Sequence, residues 1–274
     1  MEYALFFQEG DDPQPYDPAL DDIADWVARL EASGAAEYGE RLRPAHDATT
    51  VRVRGGELLV TDGPFTEAKE AVGGFDLIDA PDLDAAIEIA SRHPAARTGR
   101  VDVRPFFTWP DAPEGARVVP ASFEPATPEG CLRYLMLVIA TPTGEDGDDD
   151  PEAWVREMDG RGVRRFGDRL RKPADATYVA RRGDEVIVSD GSFAEGKEWV
   201  AGLDLLEVSG LAEAVEVAAK HPMARGGALE LWPLWPFDVH DDHVERTERE
   251  RPETSARIEP PASAVLAELA GVLP

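Results

Sequence analysis

Asp62, Glu67 and Lys69 are the side chains best suited by type to moving a proton. They sit together in Asp62-Gly63-Pro64-Phe65-Thr66-Glu67-Ala68-Lys69-Glu70. A carboxylate next to a turn can serve as a general base. Glu67 and Lys69, two apart, share one face of an extended strand with Phe65 and Phe75. If that face is buried, the pair carries shifted pKa values, which is a mark of functional sites. The stretch returns 128 positions later as Asp190-Gly191-Ser192-Phe193-Ala194-Glu195-Gly196-Lys197-Glu198. His93 and His221, again 128 apart, add two groups that titrate near neutral pH. Asp62, Lys69 and His93 are therefore the catalytic candidates. Phe65, Glu67, Asp190, Glu195, Lys197 and His221 are the candidates for holding a substrate.

Each candidate has a plainer structural role as well. An Asp before Gly-Pro accepts backbone N–H groups and fixes a turn. A Glu–Lys pair that points outward is ordinary surface charge. A His just before Pro at a helix end caps the last carbonyls and, when charged, complements the helix dipole. His46 stands in the first copy only. His240-Asp241-Asp242-His243 has metal-binding residue types, but it runs on through Glu245, Glu248 and Glu250 without apolar periodicity. It reads as a solvated tail, and no metal is expected. Phosphate loops, dinucleotide glycine fingerprints, nucleophile elbows and zinc spacings are absent from the sequence, so no cofactor is expected.

Positioning these groups falls to a duplicated unit. Between Glu57–Leu77 and Glu185–Leu205, 12 of 21 positions are identical without a gap. A period of this size marks a repeated domain, not a solenoid. Each copy opens with an apolar strand, Tyr3–Phe7 or Tyr134–Ile139, followed by an acidic loop. A helix then shows one apolar face, Ile23, Trp26, Val27 and Leu30 in the first copy and Ala153, Trp154 and Met158 in the second. A short strand covers Glu37–Pro44 or Arg165–Pro173. A hairpin follows, turning at Gly55-Gly56 or Gly183-Asp184. The signature leads into a third main strand, Ala71–Asp79 or Trp199–Val208. The second helix stops at His93-Pro94 or His221-Pro222, because proline cannot continue the ladder. Val101–Phe107 and Leu229–Trp235 close the copies.

Strand, helix, strand, strand, helix, strand is the ferredoxin-like order. Such a sheet carries helices on one face, and its bare face needs a cover that the second copy supplies. The expected fold is α+β, two tandem ferredoxin-like domains packed sheet to sheet as an intramolecular dimeric α/β-barrel, a monomeric pseudo-dimer. The expected divisions are residues 1–108 and 132–237 for the two domains, a Pro/Ala-rich linker at 109–131, and an acidic tail at 238–274. In that tail Val265, Leu266 and Leu269 can form one short helix. Tyr3, Phe7, Phe75 and Phe107, with Tyr134, Leu203 and Trp235 opposite, are expected to line the space between the sheets.

The chain has 274 residues and a net charge of -27. That balance repels polyanions, so neither nucleic acid nor an anionic membrane is an expected partner. A basic protein or a cationic ligand suits it better. Cys131 is the lone cysteine, which excludes an intrachain disulfide and fits a reducing compartment. The first residues lack the basic and apolar regions of a signal peptide, and no apolar run reaches membrane-spanning length. The expected location is cytoplasmic.

Asp62-Gly63-Pro64-Phe65 with Glu67, Lys69-Glu70 and Gly73-Gly74-Phe75 resembles the signature of the DGPF proteins within the YCII-related family. Arg41-Leu42-Arg43-Pro44, Thr49-Thr50-Val51-Arg52-Val53 and Val101-Asp102-Val103-Arg104-Pro105 fit the same pattern. The resemblance covers most of residues 1–107 and, less closely, 132–237. It implies a dimeric α+β barrel with a cleft between paired sheets. It also implies two kinds of role in the wider family: chemistry on chlorinated aromatic or related rings, and a genetic association with extracytoplasmic-function sigma factors. The family's proposed dyad uses a His in the first helix, and Ile23–Leu30 and Glu152–Met158 hold none. The second copy has Ser192 in place of Pro64 and Trp199 in place of Ala71. Two readings stand. One is a small-molecule enzyme of lyase or isomerase type that uses the cleft. The other is a noncatalytic ligand-binding or regulatory module that meets a sigma factor or another basic protein.

Overall fold

The computed structural model describes residues 1–9, 22–65, 72–113, 115–141, 150–191, 198–235 and 259–270. The first unit contains β1 (Glu2–Glu9), α1 (Ile23–Ser33), β2 (Ala36–Arg41), β3 (Thr49–Arg54), β4 (Glu57–Asp62), β5 (Val72–Asp79), α2 (Leu83–Arg92), α3 (Pro94–Thr98) and β6 (Gly99–Pro105). The second contains β7 (Leu132–Ala140), α4 (Pro151–Arg161), β8 (Arg164–Arg169), β9 (Thr177–Arg182), β10 (Glu185–Asp190), β11 (Trp199–Val208), α5 (Leu211–Lys220), α6 (Met223–Gly226) and β12 (Ala228–Pro233). A last helix, α7, spans Ala262–Leu269.

Local chemistry sets the helix ends. Asp22 caps α1 by accepting the N–H groups of Ala24 and Asp25, and Gly34 ends it in the left-handed conformation at φ 75°. Asp150 and Gly162 repeat this around α4. The indole N–H groups of Trp26 and Trp154 then donate to Ile89 O and Val217 O, tying the two long helices of each unit together.

Two six-stranded antiparallel sheets result, ordered β10-β9-β6-β1-β5-β2 and β4-β3-β12-β7-β11-β8. Four strands of each have the ferredoxin-like order, and the remaining two come from the other unit. The hairpin β3–β4 leaves the first unit and pairs with β12, Val51 opposite Leu229 and Thr49 opposite Leu231. The hairpin β9–β10 returns the exchange on β6, Val179 opposite Val101 and Thr177 opposite Val103. The hairpins thus stitch the units together instead of elaborating their own.

The sheets pack face to face around Phe6, Phe75, Leu77, Leu137, Leu203 and Trp232, and helices cover both outer faces. Tyr3, Phe7 and Tyr134 belong to the outer layers, not to the space between the sheets as the sequence suggests. The central strands are buried on both faces, so apolar residues fill both parities, and alternation cannot choose between them. Of the seven residues expected there, Phe75 and Leu203 are in that layer. Phe107 packs instead on Trp109 and under Arg169, and Trp235 under Arg41 and Arg43.

Among the described residues, the segment between the units is fastened at two main points. Arg117 forms ion pairs with Glu2, Glu37 and Asp79, and Arg133 binds Glu207 and the carbonyls of Glu124, Pro125 and Ala126. Helix α7 packs on β4 and α5 with Val265 and Leu269 buried. The equivalent strand β10 is bare, its Val186, Ile187 and Val188 being 43–45% exposed. Among the described residues no helix is long and apolar enough to cross a membrane.

Candidate functional site

Gly63 and Gly191, at φ 83° and 79°, turn the chain out of β4 and β10 in a conformation other residues resist. The Gly63 N–H donates to Ala48 O and the Thr50 hydroxyl to Gly63 O. Asp62 Oδ1 accepts the N–H of Ala262 at 2.9 Å and so caps α7, whose own N-cap position is Pro261. The half-buried Phe65 lies at the rim of the layer between the sheets. Its N–H donates to the buried carboxylate of Glu230 at 2.8 Å, and the Arg52 guanidinium covers its ring. Asp190 is exposed at the end of β10. Glu67, Lys69, Glu195 and Lys197 lie outside the described residues, as do the two acidic loops and His240 to His243.

His93 is 7% exposed in the outer layer of the first sheet. Its Nδ1 accepts the Ala95 N–H at 3.0 Å, and its ring stacks on Phe7 at 3.8 Å and meets the edge of Trp26. Burial lowers its pKa to about 3. It is therefore a neutral acceptor that caps the helix after it, not a cation that completes the helix before it. His221 repeats the arrangement with Met223 and Trp154, and burial lowers it to about 4. The structure does not bring Asp62 and His93 together: their partners lie in helix layers on opposite outer sides of the sandwich.

It does assemble a different group. A crevice of ≈ 740 Å³ wraps the edge strand β2, bounded by α1, the 125–128 segment, Arg133 and Trp235. In its wall Asp76 of β5 lies opposite Gly39 of β2, and a Cβ at Gly39 would sit 1.6 Å from Asp76 Oδ1. Glycine thus makes the room in which this carboxylate rests across the neighbouring strand. Burial, with the Glu40 carboxylate nearby, holds Asp76 well above the usual carboxylate range. Tyr38, whose hydroxyl donates to Glu40, lines the same crevice and is held above the ordinary phenol range by burial.

The second unit holds the same pair, Asp204 over Gly167, with one difference. There Arg164 fills the space. Its Nε donates to Asp204 Oδ1 at 2.6 Å, Nη2 to Gly167 O at 2.6 Å and Nη1 to Asp159 Oδ1 at 3.1 Å. Burial still pushes Asp204 up to about 6 against the pull of that guanidinium. The residue in Arg164's place in the first unit is Ala36, and both precede the same register shift against β5 or β11. Among the described residues Asp76 has no hydrogen-bond or ion-pair partner. Sequence reading passed over this site. Its signal was an Ala-to-Arg difference beside a Gly and an Asp that both copies share, at the first residue of a strand read as starting one position later.

A carboxylate held high in its range and open to a crevice can take a proton from a bound molecule and return it. Among the described residues no group of three or more His, Cys, Asp or Glu side chains is placed to hold a metal ion.

A family model described as the YCII-related domain matches residues 1–110 and again 136–238. An uncharacterized protein of Rhizobium meliloti (strain 1021) is 46% identical over 71 residues, which are 25% of this chain and 57% of that protein. The chain therefore spans little more than half the length of this relative.

Proposed function

The chain belongs to the YCII-related family, with two copies of its domain in one polypeptide, and on that premise we propose that it acts on a small molecule through the first unit. The proposed chemistry is of lyase or isomerase type, with Asp76 taking up and returning the proton at a carbon or oxygen of the bound molecule. The observation that carries this reading is the inequality of two equivalent carboxylates. Asp204 is bound by Arg164, whereas Asp76 faces the crevice without a partner among the described residues. The second unit then serves as scaffold, supplying Arg133 and the hairpin that completes the first sheet.

The test works whatever the substrate is. The protein is incubated in deuterium oxide with a panel of small carbonyl, amine and phenol compounds, and carbon-bound deuterium is read by mass spectrometry. The expected result is a compound whose exchange is lost in Asp76→Asn and kept in Asp62→Asn. Exchange that survives Asp76→Asn overturns the reading.

A second reading draws on β10. Its apolar face is bare where the equivalent β4 is covered by α7. A noncatalytic module would use that face to dock an amphipathic helix of a basic protein, attracted by the net charge of -27. Such an association weakens with added salt and is lost in Val188→Asp, on the face that corresponds to the covered side of β4. Binding that is indifferent to both removes this reading.

A further inference from the structure

We infer that the crevice beside Asp76 is a guanidinium site, and that its ligand is a small molecule bearing a guanidinium or amidinium group. The inference rests on the reading of the first unit as the working one, and it names the chemistry of what that unit binds. Its support is a comparison inside one chain. In the second unit a planar cation is seen on three acceptors, the Asp204 carboxylate, the Gly167 carbonyl and the Asp159 carboxylate. Their equivalents are Asp76, Gly39 and Glu31, all three of which line the crevice. The strand pairing that sets the acceptors is also the same, Gly39 opposite Asp76 and Gly167 opposite Asp204.

The cation is what differs. Ala36 ends at Cβ where Arg164 continues for a full side chain, so the acceptors remain and their donor is not covalently supplied. A guanidinium is favoured over an ammonium here because its donors form a fixed planar fork, which the Asp204–Gly167 pair engages from two directions. Glu40, also in the crevice wall, adds negative charge and disfavours anions. Tyr38 and the 125–128 segment line the rest of the volume, which is large enough for the remainder of a metabolite-sized ligand.

The experiment is a nitrogen-15 NMR titration of the full chain with methylguanidinium, methylammonium and the neutral isostere methylurea. Saturable shifts are expected at the Gly39 and Leu77 amides with methylguanidinium, at least about 10-fold tighter than with methylammonium. Methylurea gives none, and neither does methylguanidinium on Asp76→Asn. Ala36→Arg, which rebuilds the second unit's arrangement in the first, stays folded and abolishes the response. The inference is overturned if the Gly39 amide does not respond to methylguanidinium, or responds equally in Ala36→Arg. Deuterium exchange at Asp76 on a neutral or anionic compound, with no methylguanidinium response, overturns this inference alone. A methylguanidinium response without any Asp76-dependent exchange supports it and removes the proton-transfer reading instead.

Discussion

Arg164 Nε lies 2.6 Å from Asp204 Oδ1, and the residue at the equivalent position beside Asp76 is Ala36. The two units therefore differ in charge balance at one otherwise repeated spot. Asp76 is raised in the folded state, so above its ordinary value of 3.8 the native state holds more protons than the unfolded one. Stability is lost as pH rises through that window. Ala36→Arg reduces the loss, since the arginine-paired Asp204 is still raised, but only to about 6. Its melting temperature is expected to exceed that of the unaltered protein at pH 8, with the advantage shrinking as pH falls toward 4. A pH-independent difference would mean that the arginine acts only by packing.

The exchanged hairpins make a prediction about half of the chain. A polypeptide of residues 1–113 carries β3–β4 but lacks β12, its partner strand. It also presents a sheet face that the second unit covers in the whole chain. Light scattering is expected to give the mass of a dimer, each copy lending its hairpin to the other. A stable monomer would show that the hairpin can fold back on its own unit.

Much of this architecture is legible in the residues alone. The gapless repeat announces two units, the strand and helix order announces the ferredoxin-like topology, and the His-Pro pairs mark where the second helices end. The hairpin exchange is not legible. Thr49–Arg54 alternates in the same way whichever β6-type strand it joins, and nothing local records the destination. The buried parity of β1 and β7 is hidden for a related reason, since Tyr3 and Phe6 are equally apolar. Asp76 is visible only as one carboxylate that the repeat keeps. Its meaning comes from Ala36 and Arg164, which matter once β2 is registered against β5.

Asp62, the leading candidate by sequence, has a measurable structural task. Asp62→Ala removes the acceptor for the Ala262 N–H, and loss of such a cap costs about 1 kcal/mol. Amide exchange at Val265 and Leu269 should quicken, while Asp190→Ala, at an exposed site, stays within about 0.5 kcal/mol of the parent. Unchanged exchange in α7 would show that its apolar contacts with β4 hold it alone.

Another repeated pair has diverged in burial. Arg43 and Asp47 form an ion pair at 2.8 Å with 2% and 0% side-chain exposure, whereas Arg171 and Asp175 are 45% and 42% exposed. Arg43→Ala takes the guanidinium away from a buried carboxylate and is expected to cost about 3–5 kcal/mol in urea unfolding. Arg171→Ala should cost about 0–1 kcal/mol. Equal costs would show that the burial of Arg43 under Trp235 brings no added dependence on its partner.

The state of one carboxylate separates the two units, and carbon-13 NMR of the aspartate side chains reads it directly through a pH titration. Asp76 is predicted to titrate well above the ordinary aspartate range in the unaltered protein, and in Ala36→Arg to fall toward the value of about 6 held by Asp204. An Asp76 that titrates in the ordinary range, or identically in the two proteins, would contradict the claim that the first unit keeps an open, cation-seeking site.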